Sequence, residues 1–584
     1  MKKVISLILA LFMSLGCVVA LGEIEIIPIE TLDSMEVVID PADPLDSQYH
    51  GMYSIVLTME DASERTLYQY VPDSWFYRQP EVAIGVPADE DPVEFFISSG
   101  WKDLMDAQGF AALLMVAADR GWQPDESEYV DAVFGYMDGR KYLQTQDSAF
   151  YMVGYEDAAN AVMAHALTNG CKYAGFAAFG VDEFDVSLLD AARVTPSLVP
   201  NLMNSQIAVP MWIGAAEKTD AVEALTQYWK EANSATQAPM SNPYADEIYT
   251  FPTHMMLDND VTDQNIATVR VTYGLEDVAT PGFTGQLWND WLRRVRRQDN
   301  EEIGALRAFA TNDELGMDHY TIQIDGVNRE FYVFVPSDVK AGYVGNVPVL
   351  FAFHGGGGSG EEFACWSAWH RTAEERQFIV VYPTGHRGND GIKASTSWSA
   401  DDLEFFKQVR GFVLENYSAD ATRVYATGLS QGSVMTHNVA LYCPELVAAV
   451  APNDGTVAMN EMEGIVQDIV MPYLLNTGTE DQYFTPGSDS VIRLEASLEM
   501  MLGRYGIPYT YEDAYSYQNG RYFGHVWVNE QGIPVVQEQW VQDKGHSTIP
   551  EENYVLYDFL SKYSRGEDGT CYYMGKAIVM QGNN

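Results

Sequence analysis

The feature that most constrains this chain is that it repeats itself. Residues 53–72 read YSIVLTMEDASERTLYQYVP and residues 320–336 read YTIQIDGVNREFYVFVP. Each is an alternating strand, a polar turn, an arginine (Arg65, Arg329), a second strand and a proline (Pro72, Pro336). The parallel continues in the same order. Residues 99–116 match 365–382, 153–167 match 427–441, 207–214 match 469–478, and 287–292 match 555–560. A repeat this long is a whole domain, not a solenoid unit. The pattern therefore predicts two tandem domains, 45–295 and 317–565, a polar linker at 296–316 and a C-terminal tail at 566–584. A length of 584 residues accommodates that plan.

Within the second half, short runs that are apolar throughout alternate with helical stretches. Strands are expected at 349–353, 378–382, 423–427, 446–451 and 470–476. Leu403, Phe406, Val409, Val413 and Tyr417 recur at helical spacing after Asp401 and Asp402, which would cap that helix. Strands apolar on both faces belong to a parallel sheet covered by helices, so the fold class is α/β in both halves.

Composition narrows the partners. With 34 Lys plus Arg against 83 Asp plus Glu, the formal charge is −49, which repels phosphate backbones and anionic lipid. Nucleic acid is excluded as a partner. The basic cluster Arg293, Arg294, Arg296 and Arg297 reads as the solvated end of a helix beginning near Gln286. Hydrophobic residues at 47% exclude a disordered chain. Residues 1–20, MKKVISLILALFMSLGCVVA, have the form of a secretory signal peptide, so the expected location is extracellular. A lipid anchor on Cys17 is the minor alternative, because Ser14 stands where lipoprotein signals usually carry Leu. No later stretch is apolar enough to insert into a membrane. Cys171, Cys365, Cys443 and Cys571 then remain, enough for two disulfides or four buried thiols. No metal spacing occurs and no cofactor is implied.

The chemistry is written in the second half. Gly428-Leu429-Ser430-Gln431-Gly432 sits between an apolar strand and an apolar helix, where a sharp turn would lift the serine hydroxyl above the sheet. His354 and the glycines 355–358 follow another strand. Such a loop turns backbone N–H groups toward an oxyanion, with Gly355, Gly356 and Gly357 joined by the N–H of Gln431. No Gly-Lys-Ser/Thr follows, which weakens a phosphate-loop reading. Asp481 lies just past a buried strand, with Glu480 as the competing carboxylate. His546 follows Gly545 in a polar loop, with His525 as the competing base. Ser430, Asp481 and His546 stand in the chain order nucleophile, acid, base. Trp366 and Trp398 are candidates to line an acyl or aryl pocket.

The segments DGVNREFYVFVP, VLFAFHGGGG, FIVVYPTG, WSADDLEFF, RVYATGLSQGSVMTHNVA, LVAAVAP, NTGTED and KGH resemble the polyhydroxybutyrate depolymerase and feruloyl esterase group of the α/β-hydrolase fold. The resemblance spans nearly all of 320–562. It implies two tandem α/β-hydrolase-like domains and a serine carboxylesterase with Ser430 as nucleophile, His546 as base and Asp481 as its orienter. The substrate would be an ester, including a polymeric one: feruloylated or acetylated plant polysaccharide, or a polyhydroxyalkanoate. Ser547-Thr548-Ile549-Pro550 depart from the aromatic or proline usual soon after the histidine. A serine peptidase, an acyltransferase and a non-catalytic adhesion protein are the rival readings.

The first half lacks these parts. Glu156 replaces the serine, residues 84–91 (IGVPADED) replace the glycine loop, Val278 falls at the histidine position, and Thr219 or Asp220 falls near the aspartate position. A catalytically inactive domain is expected.

Overall fold

The computed structural model describes residues 24–34, 49–75, 79–123, 126–138, 147–199, 201–250, 266–298, 305–324, 326–389, 394–458 and 464–579. Residues 1–20, read above as a signal peptide, lie with Cys17 outside the described residues. Two ten-stranded sheets carry the chain, each with its own apolar core and with helices on its faces.

The second sheet runs, edge to edge, Asp318–Ile324, Val327–Phe334, Ile379–Pro383, Val347–Phe353, Ala419–Leu429, Ala449–Asn453, Tyr473–Gly478, Pro534–Val541, Tyr522–Val528 and Tyr515–Asn519. The six central strands are parallel and the pairs at either edge antiparallel. Val347–Phe353 is buried at every residue, as a parallel strand covered on both faces must be. The first sheet has the matching order: Gly51–Thr58, Glu64–Val71, Ala111–Met115, Glu81–Gly85, Phe150–Tyr155, Gly175–Phe179, Met211–Ala215 and Val269–Tyr273. Over these eight strands the repeat read from the sequence is a repeat of topology, and the α/β class holds in both halves. At the far edge the first sheet has one antiparallel strand, Glu247–Tyr249, where the second has two.

The repeated arginine has a structural purpose in each half. Arg65 pairs with Glu126 at 2.5 Å and lies over the Tyr129 ring. Arg329 pairs with Asp402 at 2.8 Å and lies over Phe405. In both, acid and aromatic are three residues apart, one helical turn, so a single guanidinium meets both. Asp402 is consequently no helix cap. Its carboxylate is buried against Arg329 and His386, and the helix Asp402–Asn416 begins without a side-chain cap.

Three boundaries differ from expectation. Ile26–Pro28 adds to the first sheet beside Gly51–Thr58, so that domain begins before residue 45. Residues 566–579 are no loose tail, since Cys571–Tyr573 and Lys576–Ala577 form a three-stranded sheet with Tyr563–Arg565. The 296–316 segment is not a polar linker, because Val295–Gln298 and Ala305–Ala308 form a packed hairpin. The helix near Gln286 is Pro281–Asn289, which ends before the arginines. Arg296 and Arg297 are buried. Arg297 Nε donates to the Tyr173 carbonyl at 2.5 Å, and the Arg296 guanidinium sits 3.8 Å from the centre of the Phe309 ring while bonding Tyr151 Oη. Carbonyls and aromatic faces replace water around these planar cations. Cys365 Sγ donates to Ala310 O, which ties the segment to the second domain. All four described cysteines are free. No helix among the described residues is long and apolar enough to cross a membrane, and no metal-ligating cluster occurs among them.

Candidate active site

The carboxyl ends of parallel strands lie on one edge of a sheet, and four of five consecutive strands deliver the glycine loop, Ser430, Asp481 and His546 there. Ala419–Leu429 ends at Ser430, from which the helix Gln431–Tyr442 departs. Ser430 has φ 54° and ψ −115°, a region a serine enters only under constraint, at a cost of about 1–3 kcal/mol. The flanking glycines explain how the turn closes. A Cβ on Gly428 would lie 2.4 Å from Gly432 O, and one on Gly432 would lie 2.1 Å from Phe353 O. Ser430 N–H donates to Asn453 O at 3.1 Å, which pins the turn to the next strand.

His546 follows the strand Pro534–Val541, and Asp481 follows Tyr473–Gly478. His546 Nδ1 lies 2.8 Å from Asp481 Oδ2, and Asp481 Oδ1 accepts from Tyr483 N–H at 2.9 Å. Asp481 is buried whereas Glu480 is exposed, so the carboxylate facing the imidazole is Asp481. His525 lies elsewhere, paired with Glu538 at 2.9 Å. Burial lowers the basicity of His546, but the Asp481 hydrogen bond and the charges of Asp454 and Asp481 outweigh it, and its pKa lies above the ordinary histidine value. The half-exposed Tyr483 ring stands edge-on to the imidazole, centroids 4.6 Å apart.

The glycine loop is held by His354. Burial pushes this histidine down to about 4, so it is neutral at physiological pH. Its Nε2 accepts from Gly385 N–H at 2.8 Å, leaving Nδ1–H to donate to Gly355 O at 2.6 Å. Gly355 and Gly356 adjoin the serine turn: a Cβ on Gly355 would lie 3.7 Å from Ser430 Cβ, and one on Gly356 would lie 3.1 Å from Gln431 Cγ. Gly357 departs from expectation. Its N–H donates to Thr396 O at 2.8 Å and is committed to the loop's own structure rather than to an oxyanion. Trp398 departs too. It is buried against Phe353 and donates from Nε1 to His354 O at 2.9 Å, so it braces the loop instead of lining a pocket. Trp366 does line a small open pocket, with His354, Gly355, Gly356, Glu362 and Phe363.

Beneath these loops lies a polar cluster that sequence reasoning missed. Lys544 Nζ meets Asn453 Oδ1 at 2.7 Å, Asp454 Oδ2 at 2.8 Å and Glu552 Oε2 at 3.0 Å, all with side chains at 1% exposure or less for the three charged residues. Asn476 Nδ2 bonds both Asn453 Oδ1 and Glu552 Oε2. Nothing in APND, KGH or PEEN says that these charges are buried. The only local hint is that each abuts the end of an apolar strand or the start of the last helix.

At the corresponding turn of the first domain, Glu156 has φ 48°. Burial, then Asp89, Asp157 and Glu90, hold its carboxyl above the usual range. Val278 is buried among the aromatic residues of that core, and Thr219 caps the helix Asp220–Ala232.

No family model matches the chain. Among curated proteins, the chain is 29% identical over 126 residues to feruloyl esterase B of Talaromyces funiculosus, covering 20% of this chain and 34% of that protein. It is 31% identical over 135 residues to poly(3-hydroxyalkanoate) depolymerase C of Paucimonas lemoignei, covering 22% and 31%. It is 23% identical over 243 residues to a bifunctional acetylxylan esterase/xylanase of Neocallimastix patriciarum, covering 41% and 34%. The chain thus spans about a third of the length of these curated relatives. They belong to the esterase and depolymerase group that the sequence segments resemble. An acetyl xylan esterase structure from Aspergillus awamori aligns over 41% of this chain and 99% of its own at 16% identity, with a TM-score of 0.33, a value that carries no argument here.

Proposed function

We propose that the chain is a secreted carboxylic ester hydrolase whose chemistry resides in the second domain, acting through Ser430, His546 and Asp481. One observation carries the reading: a strained serine turn and a histidine paired with a buried aspartate emerge at one edge of the same parallel sheet, from strands within four consecutive positions. The hydrogen bond to Asp481 keeps the proton of neutral His546 on Nδ1 and leaves Nε2 to accept. Ser430 Oγ attacks the ester carbonyl as His546 takes its proton. The oxyanion is met by the N–H of Gln431, at the positive end of the helix, and by the Gly355–Gly356 backbone. Collapse of this intermediate expels the alcohol, which receives the proton from His546. Water, deprotonated by His546, then cleaves the acyl-enzyme to the free acid and regenerates Ser430.

The relatives named above support ester substrates such as feruloyl or acetyl groups on plant polysaccharide, or a polyhydroxyalkanoate. The first domain, 45–295 with its added N-terminal strand, is proposed to be catalytically inactive. Labelling the purified protein with a fluorophosphonate probe, followed by peptide mapping, tests this reading. Modification at Ser430 alone, lost together with aryl-acetate turnover in Ser430→Ala, is the expected result. Folded protein that neither labels nor hydrolyses esters would overturn it.

A further inference from the structure

The buried cluster beneath the loops does more than fill space. Asn453 and Asp454, at the end of one strand, touch all three loops that carry the proposed catalytic residues. Asn453 O accepts the Ser430 N–H. Asp454 Oδ1 accepts the N–H of Gly478 at 2.9 Å, where the aspartate loop begins. Asp454 Oδ2 and Asn453 Oδ1 hold Lys544 Nζ, two residues before His546. Lys544 closes the circuit from its other end, for its carbonyl accepts Glu480 N–H at 3.0 Å, beside Asp481. The ammonium donates a hydrogen bond to Asn453 Oδ1 and forms ion pairs with the carboxylates of Asp454 and Glu552. Glu552 supplies its carboxylate from the first turn of the last helix and also accepts from Asn453 Nδ2 and Ile549 N–H.

We propose that Asp454, tied to Lys544 and Glu552, is a positioning residue for the reaction. It registers the histidine loop against the serine turn and supplies a second negative charge to the imidazolium formed in turnover. This rests on the esterase reading above. The charged groups facing His546 are Asp481, Asp454 and Lys544, with Tyr483 as its uncharged neighbour. Those facing Asp454 are Lys544, Asp481, His546 and Glu552. Burial pushes the Asp454 carboxyl up to about 6 against the pull of Lys544, so above that pH two anions stand against one cation beside the ring and favour its protonated form. Burying an Asp–Lys–Glu set costs desolvation that a packed apolar cluster would avoid, so its retention here agrees with a role beyond filling the core.

Asp454→Asn isolates the charge. The residue sits at φ 47°, a conformation that asparagine tolerates as well as aspartate, and the amide oxygen still accepts the Gly478 N–H. Lys544 keeps Glu552, leaving a balanced pair. In the full chain, kcat for an aryl acetate is expected to fall about tenfold with KM within about twofold, and the acid limb of kcat/KM to move to lower pH by about half a unit. The sign follows from removing an anion: His546 then loses its proton at lower pH, so the neutral base persists further into acid. Glu552→Gln, which loosens the same scaffold from the far side of Lys544, is expected to lower kcat with a smaller movement of the limb. A fall in kcat in Asp454→Asn with the limb unmoved, or no change in either, overturns the proposal. An NMR titration of the His546 Cε1–H, assigned with His546→Gln, reads the same charge without substrate. Failure of that titration to move in Asp454→Asn overturns the inference alone, whereas loss of ester turnover in the parent protein would strike only the esterase reading.

Discussion

Glu156 and Ser430 occupy the same place in two copies of one topology, and their backbones are nearly interchangeable. Each has positive φ, 48° and 54°. Each N–H donates to the carbonyl that ends the next strand, Phe179 O at 2.6 Å and Asn453 O at 3.1 Å. Each is crowded by a glycine on that neighbouring segment: a Cβ on Gly180 or on Gly455 would lie 2.7 Å from the carbonyl of residue 156 or 430. The strained turn is therefore a product of how strand, helix and neighbouring strand approach one another. It is present in both domains, whatever side chain it carries. What differs is the side chains delivered around it. The second domain brings a hydroxyl, a histidine–aspartate pair and a glycine loop, while the first brings Glu156 among Asp89, Glu90 and Asp157, with Val278 buried in the core.

The sharpest way to break this comparison is Asp481→Asn. It preserves the shape of the histidine loop but destroys the tautomer that leaves Nε2 free, so kcat for an aryl acetate is expected to drop about 10⁴-fold with the fold intact. A drop of less than tenfold would mean that the pair is structural, like the Glu538–His525 contact on the far strands.

Paired glycine substitutions compare the two turns directly. Gly428→Ala drives a methyl into Gly432 O, and Gly154→Ala drives one to 2.8 Å from Val162 Cγ2. Each is expected to cost about 1–3 kcal/mol of stability, read as a lowered Tm. Only Gly428→Ala should also depress kcat, by more than tenfold. Equal loss of activity from Gly154→Ala would show that the first domain acts on the reaction.

The smallest expected effect is that of Glu156→Gln. Relief of its like-charged surroundings should leave turnover of a small soluble ester within a few-fold. A hundred-fold fall would give the first domain a chemical role after all.

The sequence went furthest where the physics is local or repetitive. Apolar runs located five of the six central strands of the second sheet to within a few residues, because a strand buried on both faces leaves little room for polar residues. Pro534–Val541, with Gln537, Glu538 and Gln539 in it, was not legible that way. Arg65 and Arg329 marked the repeat, although of their partners Asp402 was legible only as a helix start and Glu126 not at all. The serine turn was readable because glycines at 428 and 432 are required by contacts within that one turn and its nearest strand. The 296–316 segment was misread because a run of arginines looks solvated whenever the carbonyls and rings that receive it are unseen, and Tyr151 and Tyr173 are more than a hundred residues away.

By itself, then, the chain determined two copies of a helix-covered parallel sheet, which of the two carries a serine in its strained turn, and the order serine, aspartate, histidine. Those features follow from periodicity and short-range sterics, which act between residues close in sequence. The tertiary structure alone decided that Asp481 rather than Glu480 faces His546, that Trp398 braces the glycine loop, that Gly357 N–H belongs to Thr396, and that Lys544 joins Asp454 to Glu552 beneath the site. Each of these is a pairing of polar groups across tens of residues of chain. Its strength depends on burial and on distances of about 3 Å, and both exist only once the strands have been laid side by side.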